Sequence, residues 1–251
     1  LNLAPLVVGL VTFAVYTNDR LADAETDAFS NPEKAAFIER YSHVLGPFAD
    51  AAYGVAVMIG VAGGPLTLAL TLLPGVFWVF YASGWFDQLG ESLSRLKSIL
   101  VVNTTIVALA WAVVLTFLPL AFAGIPVTTS ALFVFAYFFL RVFTFVELSN
   151  IPDIDGDRLI GVDTIPTVFG VDGTRRALYL VNGLTVVVVA ATLRAGFVSM
   201  DLALPLVLGT AYSLAVTALV GRWQNIAALI QAAEAEYFLT YLAVLAVSLP
   251  V

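Results

Sequence analysis

Cysteine is absent from this 251-residue chain, which excludes thiol nucleophiles, disulfides and cysteine-ligated metals. Histidine occurs once, as His43 at the entrance of an apolar segment, where no role is assigned to it. Charged residues make up 12% of the chain, against about a quarter in soluble domains. Lysine is scarcest among them: Lys34 and Lys97 are the two present. With a net charge of −7, the chain offers no basic surface for nucleic acid. Apolar residues are what it has, 61% by count, and the mean hydropathy is +0.97. This is the composition of an all-α, polytopic membrane bundle. The acid excess with so little lysine fits a salt-adapted organism such as a halophilic archaeon.

A spanning helix needs roughly 20 mostly apolar residues. Eight segments are expected to cross: about 1–18, 44–62, 65–84, 100–120, 128–149, 176–193, 201–220 and 230–250. The connections are short, so a single membrane domain over 1–251 is expected. The first segment opens without a basic flank or cleavage site and does not read as a signal peptide. Gly63-Gly64-Pro65 and Gly124-Ile125-Pro126 mark tight turns. The polar stretch 28–42 reads as a loop with a short helix around 33–41, and 85–99 as an amphipathic interfacial segment. Gly161, Pro166 and Gly170 punctuate a loop before the sixth span.

Placing the cations on this alternation is informative. Arg20, Lys34, Arg40, Arg95, Lys97, Arg158, Arg175, Arg176 and Arg222 fall on one side, Arg194 on the other, and Arg141 within a span. The positive-inside rule makes the rich side cytoplasmic. A charge at the depth of Arg141 requires a partner within the bundle.

Two acidic clusters lie on that same side. The first is Asp19, Asp23 and Asp27, next to Asn18; the second is Asp153 and Asp157, with Glu147 and Asn150 just before them. No Pro or Gly separates the first span from its cluster, so Asp19, Asp23 and Asp27 are expected on one helical face at i, i+4 and i+8. Carboxylates so spaced repel unless a cation holds them together, and a hard one such as Mg²⁺, shared with phosphate oxygens, suits them. Asp155 is expected to point away as a surface acid. The fifth span is dense in aromatics, among them Phe133, Phe135, Tyr137, Phe138, Phe139, Phe143 and Phe145, which either pack or line a groove for an apolar chain.

The run Asp153-x-x-Gly156-Asp157-Arg158-x-x-Gly161-x-x-Thr164-Ile165-Pro166-x-x-x-Gly170 resembles the second aspartate motif of the UbiA-type intramembrane prenyltransferases. Ser94-Arg95-Leu96-Lys97 is similar to that family's basic Arg-Leu-Lys segment. The first cluster departs from the pattern, its spacing one residue longer than Asn-Asp-x-x-Asp-x-x-x-Asp, and Asn31-Pro32-Glu33-Lys34 stands where many members carry Arg-Pro-x-Pro-Ser-Gly.

The resemblance covers essentially the whole chain. It implies nine helices, with a first helix ahead of residue 1. It also implies Mg²⁺-dependent transfer of an isoprenoid from a prenyl diphosphate, such as geranylgeranyl diphosphate, to a lipophilic acceptor: an ether-lipid, quinone precursor or carotenoid. Asp19, Asp23, Asp27, Asp153 and Asp157 would be the metal ligands, with Asp23 and Asp157 central to catalysis. Lys97 and Arg95 would serve the leaving group, and Arg158, Asn150 and Asn18 would bind substrate. The alternative is a catalytically impaired member acting as a scaffold or transporter.

Overall fold

The computed structural model describes residues 2–24, 28, 32–82 and 100–248. These residues are helical, with no strand among them. In chain order the helices are α1 (Ala4–Ala22), α2 (Pro32–Gly63), α3 (Pro65–Ala82), α4 (Val102–Ala123), α5 (Thr129–Ser149), the short α6 (Ile154–Ile160), α7 (Ile165–Arg194), α8 (Met200–Leu219) and α9 (Ile226–Ser248). Six of them, α2, α4, α5, α7, α8 and α9, are long and apolar enough to cross a membrane. The two others expected to span fall short on that measure. The last turn of α1 carries Asn18, Asp19 and Arg20, which dilute its apolar run, and the apolar stretch of α3 is the shorter Pro65–Val79.

Helices α1 to α4 pack around Val7, Val11, Ala56, Val114 and Leu118. Helices α5, α7, α8 and α9 pack around Leu148, Leu178, Val216, Val220 and Leu229. The extensive α4–α5 contact joins the two groups, with Ala108, Val142, Phe143 and Ile165 at the seam. Small residues let the backbones approach, and several of the buried threonines satisfy themselves on their own helices. Thr71, Thr144, Thr185 and Thr210 each donate to the carbonyl four residues back, at 2.7–2.9 Å.

Gly64 (φ +105) and Gly124 (φ +63) make the expected turns, in a region where a side chain would be strained. Three boundaries differ from the sequence reading. The helix expected over 33–41 is continuous with the following span as the 32-residue α2, which starts at Pro32 and which nothing in 33–46 interrupts. The sixth span starts at Ile165, earlier than expected, because Thr164 and Thr167 form a reciprocal capping box; Gly170 (φ 68, ψ −179) interrupts α7 within its first turns without ending it. Finally, α1 ends at Ala22, so Asp19 is helical while Asp23 is the C-cap (φ −97, ψ 8). Within α1 the expected aspartate face therefore extends from Asp19 only to the cap at Asp23, and Asp27 lies outside the described residues.

Candidate active site at the ends of α1, α5 and α6

The second cluster is built on a tightly folded crossing from α5 to α7. Asn150 caps α5, and its carbonyl accepts from Asp153 N at 3.2 Å. Asp153 is the N-cap of α6 and makes no side-chain cap to that helix. Asp157 N donates to Asp153 O at 2.8 Å, closing one turn between the two aspartates. That turn sets the carboxylates on one face, with Cβ atoms about 5–6 Å apart. Both residues are half-buried, and Gly156 between them is buried. Val162 N returns to Asp157 O at 2.9 Å through Gly161 (φ +71).

Arg158 donates to the Thr167 carbonyl from Nη2 at 3.1 Å and Nε at 3.4 Å. It also faces the exposed Asp155 at 3.7 Å. The structure thus ties this cation to the motif's own backbone, and Asp155 does point to solvent.

Glu147, on the last turn of α5, is wholly buried. Its Oε2 accepts from Ile165 N at 3.1 Å, across the whole crossing. Its Oε1 has no hydrogen-bond partner, and neither do Thr104 Oγ1, Asn103 Oδ1, Ser149 Oγ or Asn150 Nδ2. Thr104 neighbours the Glu147 carboxyl from α4 without a hydrogen bond closing between them. An unpaired buried polar atom is costly, and such atoms are uncommon away from functional sites.

At the first cluster, Trp78 Nε1 on α3 donates to Asp19 Oδ1 at 3.2 Å. Asn18 Nδ2 donates to Asp50 Oδ1 on α2 at 3.3 Å. Trp78 and Asp50 were not legible as site residues, since neither belongs to a spaced motif. Asp23 N bonds back to Asp19 O at 3.0 Å, so these two acids also stand about one turn apart. Arg95 and Lys97 lie outside the described residues. Among the described residues no three acids or histidines converge to hold a metal ion by themselves. Each cluster offers a pair.

Arg141 finds its partners within the bundle. Nε and Nη2 donate to Glu236 Oε1 and Oε2 at 2.7 and 2.5 Å, Nη1 donates to Asn182 Oδ1 at 2.7 Å, and Nη2 also donates to Ser213 Oγ. These bonds join α5 to α7, α8 and α9. A cavity of about 10 Å³ beside them, lined by Arg141, Thr144, Ser213, Thr217 and Glu236, has room for one water. The α5 aromatics pack: Phe135 stacks on Phe117 at 5.7 Å, Phe133 meets Phe197 at 5.1 Å, and Phe145 meets Tyr237 edge-on at 6.4 Å.

Searches of the curated proteins and of the solved structures each returned no match. Residues 1–247 match the model of the UbiA prenyltransferase family, whose members act on lipophilic acceptors and generally use divalent metal ions. A multi-pass helical bundle with paired aspartates at the ends of α1 and α5 agrees with that match over nearly the full length, and the chain belongs to the UbiA prenyltransferase family.

Proposed function

We propose that this prenyltransferase moves an isoprenoid chain, in a Mg²⁺-dependent reaction, from a prenyl diphosphate to a lipophilic acceptor at the cytoplasmic face of the membrane. Geranylgeranyl diphosphate is the first donor to try. An ether-lipid precursor, a quinone precursor or a carotenoid is the acceptor. The observation that carries this reading is the Asp153–Asp157 pair, one turn apart and half-buried at the start of α6.

The donor set fits the cation. Mg²⁺ takes one or two carboxylates from a protein and completes its octahedron with waters and substrate phosphates, so a pair suffices where a diphosphate supplies the rest. Asp153 and Asp157 would hold one ion, and Asp19, Asp23 and Asp27 a second. Bound there, Mg²⁺ supplies positive charge to the diphosphate oxygens as the bond breaks.

Lys97 would hold the same oxygens as a point charge and Arg95 as a fork, with Arg158, Asn150 and Asn18 binding around them. The C–O bond from the allylic carbon to diphosphate breaks with its electron pair on oxygen. The acceptor's nucleophilic oxygen or carbon bonds to that carbon and gives up a proton. The whole of 1–251 acts as one domain. The cytoplasmic assignment rests on Arg20, Lys34, Arg40, Arg158, Arg175, Arg176 and Arg222 sharing one side of the alternating helices.

The test is Mg²⁺-dependent pyrophosphate release from geranylgeranyl diphosphate by full-length protein in lipid extract at high salt. Asp157→Ala and Asp23→Ala are each expected to lose roughly 10²–10³-fold in rate, as when a transition-state charge stabiliser is removed. Wild-type rates in both variants would refute the two-cluster assignment. A second reading, an impaired member serving as scaffold or transporter, draws on the engagement of Asp19 Oδ1 by Trp78. It predicts no release, and no joint stabilisation by Mg²⁺ and a non-hydrolysable prenyl diphosphate analogue.

A further inference from the structure

Both aspartates of the second cluster ride on a stretch of chain whose ends are tied by one buried carboxyl. Glu147 leaves α5, Ile165 opens α7, and the Oε2···H–N bond between them spans eighteen positions. Ile165 N–H is one of the first-turn donors for which a helix has no internal acceptor. Its neighbours there are already served, since Thr164 Oγ1 accepts from Thr167 N at 3.3 Å and Thr167 Oγ1 accepts from Thr164 N at 2.7 Å. The Ile165 donor is met by Glu147.

The stretch between has its own floor. Ile151 is buried and Ile154 packs beside it against the α7–α8–α9 core. Those apolar contacts fix the depth of the loop. The Glu147 bond instead fixes the separation of the α5 exit from the α7 entry, which bounds the turn closed by Asp157 N and Asp153 O. The Glu147 carboxyl is held between Ile165 N of α7 and the neighbouring Thr104 of α4 and is closed to solvent, so it is not placed to touch reacting atoms.

We propose that Glu147 is a positioning residue for Asp153 and Asp157, acting through its hydrogen bond to Ile165. The proposal rests on the reading of that pair as a metal site, and its test therefore measures metal uptake and not turnover. Groups that orient metal ligands from behind typically contribute 10–100-fold to metal affinity.

Mn²⁺, standing in for Mg²⁺, is titrated into the full-length protein without substrate and the free ion is followed by electron paramagnetic resonance, with Asp157→Ala as reference. Glu147→Ala leaves the Ile165 N–H unmet, and its apparent Mn²⁺ affinity is expected to fall about 10-fold or more. Glu147→Gln retains an oxygen for Ile165, and its new N–H donors lie beside the unpaired Thr104 Oγ1; wild-type affinity is expected.

Wild-type affinity in the alanine variant overturns the proposal, because the bond would then position nothing. A glutamine variant as weak as alanine also overturns it, since the carboxylate charge and not the hydrogen bond would matter. Should Glu147→Ala fail to fold, Glu147→Met fills the volume without an acceptor and carries the same expectation. If the wild type takes up no more Mn²⁺ than Asp157→Ala, the metal reading itself has failed and the proposal falls with it.

Discussion

Replacing Glu236 by alanine strands a guanidinium inside the bundle. Arg141 is 2% exposed, and Glu236 receives two of its bonds, at 2.7 and 2.5 Å. Asn182 and Ser213 remain as acceptors after the substitution, but neither carries charge. Breaking a buried pair by removing one partner costs about 3–5 kcal/mol. At ~2–4 °C per kcal/mol for a chain of this size, Tm falls by roughly 6–20 °C. Arg141→Met combined with Glu236→Leu removes both charges and keeps the volume, so it recovers most of that loss. The assay is thermal unfolding in a mild non-ionic detergent at low and high salt. A buried pair is little screened, so the deficit of the single variant persists at high salt. The reasoning is refuted if Glu236→Ala lowers Tm by no more than ~2 °C, the scale of a surface substitution, or if the double variant is no more stable than the single one.

Two further outcomes test the local construction of the second motif. Gly170→Ala places a Cβ at φ 68, ψ −179, backbone territory essentially confined to glycine, and is expected to cost about 1–3 kcal/mol, read as a lower Tm in the same unfolding assay. Thr164→Val removes the hydroxyl that accepts from Thr167 N; losing such a cap costs about 0.5–2 kcal/mol, and amide exchange is expected to accelerate at Thr167 and Val168 while the centre of α8 is unchanged.

What could be read from the chain was whatever is decided within one or two helical turns. Gly64 and Gly124 were legible as turns because a positive φ is a local demand, and the structure places both there. The Asp153–Asp157 pair was legible because a spacing of four is one turn of helix wherever that helix sits. The first cluster was legible only in part: Asp19 and Asp23 stand one turn apart as a spacing of four predicts, but α1 stops at Ala22 with Asp23 as its C-cap, and a helix end is not set by spacing. Intramembrane charge is an intermediate case. That Arg141 needs a partner follows from burial alone, but the choice of Glu236 over other polar residues depends on α9 lying against α5, a contact ninety-five positions away in sequence. Glu147 is hardest to read, because its separation from Ile165 has no helical period. Only once Ile151 and Ile154 have buried themselves in the α7–α8–α9 core does the crossing fold back far enough for one carboxyl to close it. Arrangements of that kind, in which an apolar contact brings polar ends together, define this site more than the motif spacing does, and the metal titration of Glu147→Ala against Glu147→Gln measures how much.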